Sequence, residues 1–287
     1  MRLFVFGVGY SSRAFVERIA GKATWIGGTT RSAEKASELE KLGVQPFLFD
    51  GKSAGDRIAA ALADATHVLV SIAPGEDGDP VLTHHGADVA AGRPDWIGYL
   101  STVGVYGDHD GAWVDEETEP RPVSRRSVQR VAAETAWLDF SEANDLPVQI
   151  FRLSGIYGPG RNAFGKFRGG TARRLIKPGQ VFNRIHVEDI AGALEAASER
   201  PATRVFNVTD DEPCPPQDVI TFAAELLGVA PPEEVSFEEA DLSPMARSFY
   251  GENKRVSNKR VKEELDYSFR YPDYRTALRD LVKTDGF

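Results

Sequence analysis

The stretch Met1–Phe15, MRLFVFGVGYSSRAF, decides how the rest of the chain is read. Leu3-Phe4-Val5-Phe6 is an unbroken apolar run, the pattern of a short strand buried on both faces. Gly7-Val8-Gly9 follows as a sharp turn, and from Tyr10 the apolar residues Ala14, Phe15 and Ile19 recur at helical spacing. A strand, a glycine turn and a helix start together aim free backbone N–H groups and the positive end of the helix dipole at one point. That arrangement suits a pyrophosphate: the first glycine allows the turn and the second lets the backbone approach the phosphates. The third fingerprint position carries Ser12 where glycine or alanine is usual. Gly7, Gly9, Tyr10, Ser11 and Ser12 are therefore the expected cradle.

Working outward, a second strand ends at Gly28-Thr29-Thr30-Arg31-Ser32, about 20 residues beyond the turn, where a dinucleotide fold meets the adenosine ribose. A carboxylate there would accept from a 2′-hydroxyl, but none appears before Glu34. Thr30, Arg31 and Ser32 instead suit a 2′-phosphate, because a guanidinium forks onto phosphate oxygens and hydroxyls donate to them. NADP is thus expected in preference to NAD. Asp50 closes the third strand and is placed to accept from an adenine amino group or to cap the next helix. The fourth strand, from His67, runs into Ser71-Ile72-Ala73-Pro74-Gly75, small residues at the carboxyl end where open α/β sheets bind ligands. His84 and His85 are adjacent on the following helix, so they diverge and read as surface residues. Trp96–Leu100 and Val148–Arg152 are further strands. On the intervening helix Val128, Val131, Ala132, Thr135 and Leu138 form the expected apolar stripe.

Size and charge narrow the setting. The 287 residues suit one α/β domain with a smaller lobe. Forty-three acidic against 34 basic residues, a net charge of −9, disfavour nucleic acid and anionic membranes as partners. A single cysteine, Cys214, excludes an internal disulfide, and five scattered histidines offer no zinc pattern, so no metal is expected. With no signal-peptide pattern and no membrane-length apolar run, the expected location is the cytoplasm.

Taken together, the Gly7 turn, Ser101-Thr102-Val103-Gly104-Val105-Tyr106-Gly107, RLSGIYGPG from Arg152 to Gly160, RIHVED from Arg184 to Asp189 and Phe206-Asn207-Val208 occur in the order of one known family. The chain resembles the extended short-chain dehydrogenases/reductases, in the NAD-dependent epimerase/dehydratase branch. Its closing stretch, Asn253–Leu265 with Tyr271-Pro272-Asp273-Tyr274, is similar to atypical bacterial members of the YeeZ-like kind. The resemblance implies a Rossmann-type doubly wound parallel α/β sheet over residues 1–160 and a substrate-binding lobe over 161–287. Segments near 181–208 are expected to return to the core. A homodimer is compatible with it.

The departure from the family pattern bears directly on chemistry. There, a serine or threonine and a Tyr-x-x-x-Lys pair on the next helix move the proton, the lysine lowering the tyrosine pKa. Thr102 matches the first role and Ser101 adjoins the cofactor. Counting back from Glu134 sets Arg130 at the lysine position and Arg126 at the tyrosine position. No tyrosine lies between Tyr106 and Tyr157, and no lysine between Lys52 and Lys166. An arginine does not exchange protons near neutral pH. Arg130 is expected at the nicotinamide ribose and Arg126 at an anionic substrate, with a hydroxyl from Ser124 or Ser127, and with Tyr106, Tyr157, His186 or water as proton carrier. Tyr157, Arg184 and His186 are expected beside the substrate. Two functions follow: an NADP-dependent reductase or epimerase-like enzyme for a small anionic carbonyl or sugar-like molecule, or a catalytically silent NADP-binding module acting through partners.

Overall fold

The N-terminal apolar run is β1 (Arg2–Phe6) in the computed structural model, which describes residues 1–243 and 247–286. Leu3 and Val5 enter the core on one face and Phe4 and Phe6 the core on the other, so hydrophobicity on both sides fixes a central position. The chain continues through α1 (Tyr10–Ile19), β2 (Trp25–Thr30), α2 (Ala33–Lys41), β3 (Gln45–Leu48), α3 (Ile58–Ala63), β4 (His67–Val70), α4 (Pro80–Gly92) and β5 (Trp96–Thr102). A short 3-10 helix (Val103–Tyr106), β6 (Trp113–Val114), α5 (Arg125–Asn144) and β7 (Val148–Leu153) follow.

Beyond these come β8 (Gly155–Tyr157), α6 (Ala163–Arg168), β9 (Arg174–Ile176), β10 (Arg184–His186), α7 (Val187–Ser198), β11 (Arg204–Val208) and α8 (Pro216–Leu227). The described elements end with β12 (Glu234–Ser236), β13 (Arg255–Val256), α9 (Lys259–Leu265) and α10 (Tyr274–Asp285).

Seven strands form one parallel sheet in the order β11-β7-β5-β4-β1-β2-β3. Strand order reverses between β1 and β4, and the crevice at that switch point is where doubly wound sheets bind ligands. Phe15 and Ile19 of α1 with Ile190 and Leu194 of α7 cover one face; Ile58, Val81, Val89 and Trp137 cover the other. Three parallel strand pairs, β8–β10, β9–β12 and β6–β13, lie outside the sheet. Phe164, Ile220, Ala223, Tyr274 and Leu278 give the C-terminal lobe its own core. No helix among the described residues is long and apolar enough to cross a membrane.

The α5 packing corrects the expected stripe. Ala133 and Trp137 are the buried apolar residues, whereas Val128, Ala132 and Thr135 face outward. His85 is also corrected: it is buried against Phe6 and Phe49, with its Nδ1 2.9 Å from the Asp88 carboxylate. Asp50 does not cap α3, whose N-cap is Arg57; Asp50 Oδ1 accepts from the Lys52 amide at 2.9 Å.

Candidate active site

The glycine turn is held by the residue that departs from the fingerprint. Ser12 is fully buried; its Oγ accepts from the Gly9 amide at 2.8 Å and donates to the Gly7 carbonyl at 2.7 Å. Gly7, at φ +87°, donates to Thr29 Oγ1 at 2.7 Å, and a Cβ there would lie 2.5 Å from Ile72 Cγ2. At Gly9 a Cβ would meet nothing within 4 Å, so the space above this glycine is open. Among the described residues, the first-turn amides of Tyr10, Ser11 and Ser12 find no protein acceptor. Open space over a glycine, bordered by unsatisfied donors at a helix start, fits a pyrophosphate. Tyr10 lies at the edge, donating to the Pro159 carbonyl at 2.9 Å, with the Arg161 guanidinium over its ring.

At the end of β2, Arg31 is exposed and makes no ion pair or hydrogen bond with a described residue, and Thr30 is half-buried beside it. The Ser32 hydroxyl is engaged as the α2 N-cap, accepting from Lys35 N at 3.4 Å. Asp50 is exposed at the next strand end. After β4, Ser71 donates its amide to the Phe6 carbonyl at 2.9 Å, which sets Ser71 and Ile72 against Gly7, with Ala73 and Pro74 following in the chain.

A cavity of about 1470 Å³ opens from the carboxyl end of β5 across the C-terminal lobe. Thr102, Arg126, Arg130, Tyr157 and Arg184 all line it, as does Ser101. The Ser101 hydroxyl donates inward to Glu134, while Thr102 Oγ1 caps the 3-10 turn, accepting from Gly104 N at 3.1 Å. Arg130 Nη1 donates to Tyr99 Oη at 3.0 Å and to the Leu100 carbonyl at 2.8 Å. Arg126 is exposed on the same face and makes no bond to a described residue. Arg184 Nη1 donates to the Phe182 carbonyl at 3.0 Å and also reaches the Cys214 carbonyl and sulfur.

The cavity wall is strongly basic. Among the described residues, Arg125, Arg126, Arg130, Arg161, Lys166, Arg184 and Lys254 line it, against one lining carboxylate, Glu252, which Lys254 holds at 2.5 Å; Arg125 is paired with Glu76. Desolvation against the wall, with the Arg184 charge behind it, holds the Lys166 ammonium below its usual range. Tyr157 is buried with its hydroxyl lacking a partner among the described residues, and burial with the Asp210 and Asp189 carboxylates pushes its pKa far up.

Two expected site residues are corrected. Tyr106 turns into the core: its Oη donates to Asn207 Oδ1 at 2.8 Å and accepts from Arg152 Nη1 at 2.9 Å. Burial pushes its pKa up to about 12, and it does not reach the cavity as a proton carrier. His186 is equally enclosed, its Nδ1 capping α7 at Glu188 N and its ring packed on Tyr157 and Tyr271. It is a structural cap set behind the cavity wall rather than a substrate contact.

Sequence reasoning missed the layer beneath the site. Glu134 and Arg152 form a buried pair that also holds Ser101 and Tyr106. The available signal was an arginine inside the buried strand Val148–Leu153, which demands a partner. Lys254, buried and donating to the Gly107 carbonyl at 2.7 Å, had no such signal.

Residues 90–209 match the model of the NAD dependent epimerase/dehydratase family. Protein YeeZ of Escherichia coli (strain K12) is 30% identical over 226 residues, covering 74% of either chain. A conserved protein of Silicibacter pomeroyi superposes with a TM-score of 0.88 at 48% identity, over 98% of both chains. MoeE5, solved in complex with UDP-glucuronic acid and NAD, shares the fold at a TM-score of 0.79 and 20% identity, over 99% of this chain and 98% of its own. A glycine turn at a strand-order switch, the segments shared with YeeZ and the matching family model together show that this chain belongs to the NAD-dependent epimerase/dehydratase family of extended short-chain dehydrogenases/reductases.

Proposed function

We propose that this chain binds a nicotinamide dinucleotide, NADP in preference to NAD, and acts as an oxidoreductase or epimerase-like enzyme on a small anionic carbonyl or sugar-like molecule. The observation that carries the substrate reading is the basic cavity: of seven lining cations among the described residues, Arg125 and Lys254 are ion-paired and Arg126, Arg130, Arg161, Lys166 and Arg184 are not, in a chain of net charge −9. Concentrating positive charge in a concave, low-dielectric wall attracts anions and costs folding energy unless an anion offsets it.

The cofactor reading rests on the turn. The Tyr10–Ser12 amides would hold the pyrophosphate, Gly9 would give it room, and Arg31 with Thr30 would take a 2′-phosphate. MoeE5, a neighbour in fold, was solved with NAD, which supports a dinucleotide in this crevice. When bound, the nicotinamide supplies or accepts a hydride. Thr102 would donate to the substrate oxygen, since its Oγ1 accepts from the Gly104 amide and keeps its own proton. Arg130, pinned to β5, offers its remaining N–H groups to the nicotinamide ribose.

Arg126 and Arg130 of α5, where the family pattern has tyrosine and lysine, favour a second reading, an NADP-binding module without turnover. NADPH titrated by fluorescence, followed by its absorbance with carboxylate-bearing aldehydes, ketones and keto-sugars, separates the two. Binding with oxidation of NADPH is the expected result. Binding without turnover selects the silent module, and no binding overturns both.

A further inference from the structure

Two hydroxyls, of Thr102 and Ser127, and the Arg126 guanidinium line one cavity at the start of α5. Arg126, Ser127 and Arg130, at positions i, i+1 and i+4, share the cavity face of the helix. Ser127 and Thr102 flank Gly104: a methyl group on Gly104 would lie 3.1 Å from Ser127 Oγ and 3.4 Å from Thr102 Oγ1. Ser127 is only 7% exposed.

The proton inventory shows what these hydroxyls lack. Ser124 Oγ donates to Ser127 Oγ at 2.9 Å, and Gly104 N donates to Thr102 Oγ1 at 3.1 Å. Each hydroxyl has therefore received a bond and keeps its own proton, for which no described residue provides an acceptor. Two neutral donors at one spot suit a carbonyl oxygen, which becomes more basic as its carbon is reduced. Beside them, Arg126 has no ion pair with a described residue, and Arg130 commits only Nη1. Glu252 does not neutralise them, since it is held by Lys254. A guanidinium left open next to carbonyl-binding hydroxyls suits a planar carboxylate bound through two parallel bonds. The positive end of the α5 dipole adds to this preference.

We propose that the reacting end of the substrate is a carbonyl bearing an adjacent carboxylate, a 2-oxo acid, with its oxygen on Thr102 and Ser127 and its carboxylate on Arg126. The inference rests on the function proposed above, which sets the reacting carbon beside Thr102. The remaining volume and the distant cations Arg161, Lys166 and Arg184 accommodate the rest of the substrate.

Oxamate, an amide whose carbonyl adjoins a carboxylate, is an unreactive probe of this end. It is titrated into the NADPH-loaded protein by calorimetry, with acetate as the carboxylate lacking a neighbouring carbonyl. We expect oxamate to bind about tenfold more tightly than acetate, and Arg126→Gln to weaken it by about tenfold or more. Ser127→Ala should weaken oxamate about three- to tenfold while leaving acetate unchanged, a split that a merely structural role would not produce. Both variants should bind NADPH as the unmodified chain does. Oxamate binding that is absent, no tighter than acetate, indifferent to Arg126→Gln, or lost equally with Lys166→Gln overturns the proposal. Failure of NADPH to bind overturns the dinucleotide reading alone, and oxamate titrated into the cofactor-free protein then still decides the site.

Discussion

Arg152 Nη2 and Glu134 Oε2 are 2.7 Å apart in a pair whose side chains are 7% and 5% exposed, directly beneath the cavity floor. The pair is also a junction: Glu134 receives the Ser101 hydroxyl, and Arg152 donates to Tyr106, which donates to Asn207 on β11. It therefore ties β5, α5, β7 and β11 together at the carboxyl end of the sheet. Removing one partner leaves an uncompensated buried charge, a loss of about 3–5 kcal/mol. Glu134→Ala is expected to lower unfolding free energy by that amount in urea denaturation. A change below about 1 kcal/mol, typical of exposed pairs, would show the junction to be dispensable.

Gly7 and Gly9 are expected to respond oppositely to alanine. At Gly7 the φ of +87° and the Ile72 methyl 2.5 Å from a new Cβ combine backbone strain with overpacking. Gly7→Ala should destabilise by about 2–4 kcal/mol. Gly9 has φ −109° with nothing within 4 Å, so Gly9→Ala should fold as before. Its methyl would occupy the space assigned to the pyrophosphate, and NADPH binding should fall sharply. Thermal melts and fluorescence titration of the two variants check both halves, and retained NADPH affinity in Gly9→Ala would remove the phosphate from this turn.

The parts legible in the sequence were those set by local pattern. Phe4 and Phe6 alternating with Leu3 and Val5 announce a strand buried on both faces, and the glycines after it leave few options for the chain. The α5 face was misread because its buried side is partly polar: Ser127, Glu134 and Ser141 are enclosed with partners from elsewhere in the chain or the helix end. Hydropathy counts such residues as exposed. Tyr106 was misplaced for a related reason. The short 3-10 helix swings it inward to Asn207, a partner 101 residues away that no local spacing reveals. His85 likewise reads as polar until Phe6 and Phe49 enclose it.

Arg31 is the residue on which the proposed NADP preference depends most, because among Thr30, Arg31 and Ser32 it alone carries a charge that can pair with a 2′-phosphate. A charge-assisted bond to a 2′-phosphate is worth about 1.5–3 kcal/mol, or roughly tenfold and upward in affinity. Arg31→Ala should therefore weaken NADPH binding at least about tenfold and leave NADH unchanged. The contribution should also shrink as salt is raised, since Arg31 is exposed. Tighter binding of NADH than NADPH by the unmodified chain would reverse the preference.

His186 makes folding pH-dependent in a defined window. Burial, aided by the Arg270 charge, pushes its pKa down to about 4, against about 6.5 in an unfolded chain. A depressed histidine pKa means that the unfolded state takes up the proton first. Its contribution is complete above pH 6.5, is lost as pH falls toward 4, and changes no further below that. At pH 5 the loss attributable to this ring is about 2 kcal/mol relative to pH 7. Protonating Nδ1 would also remove the acceptor that caps α7 at Glu188. In His186→Asn an amide oxygen can accept the same bond without titrating. The variant is expected to lose about 2 kcal/mol less than the unmodified chain between pH 7 and pH 5. Urea denaturation of both proteins at the two pH values measures that difference directly and cancels the groups they share. Equal losses in the two proteins would show that the ring is not held neutral.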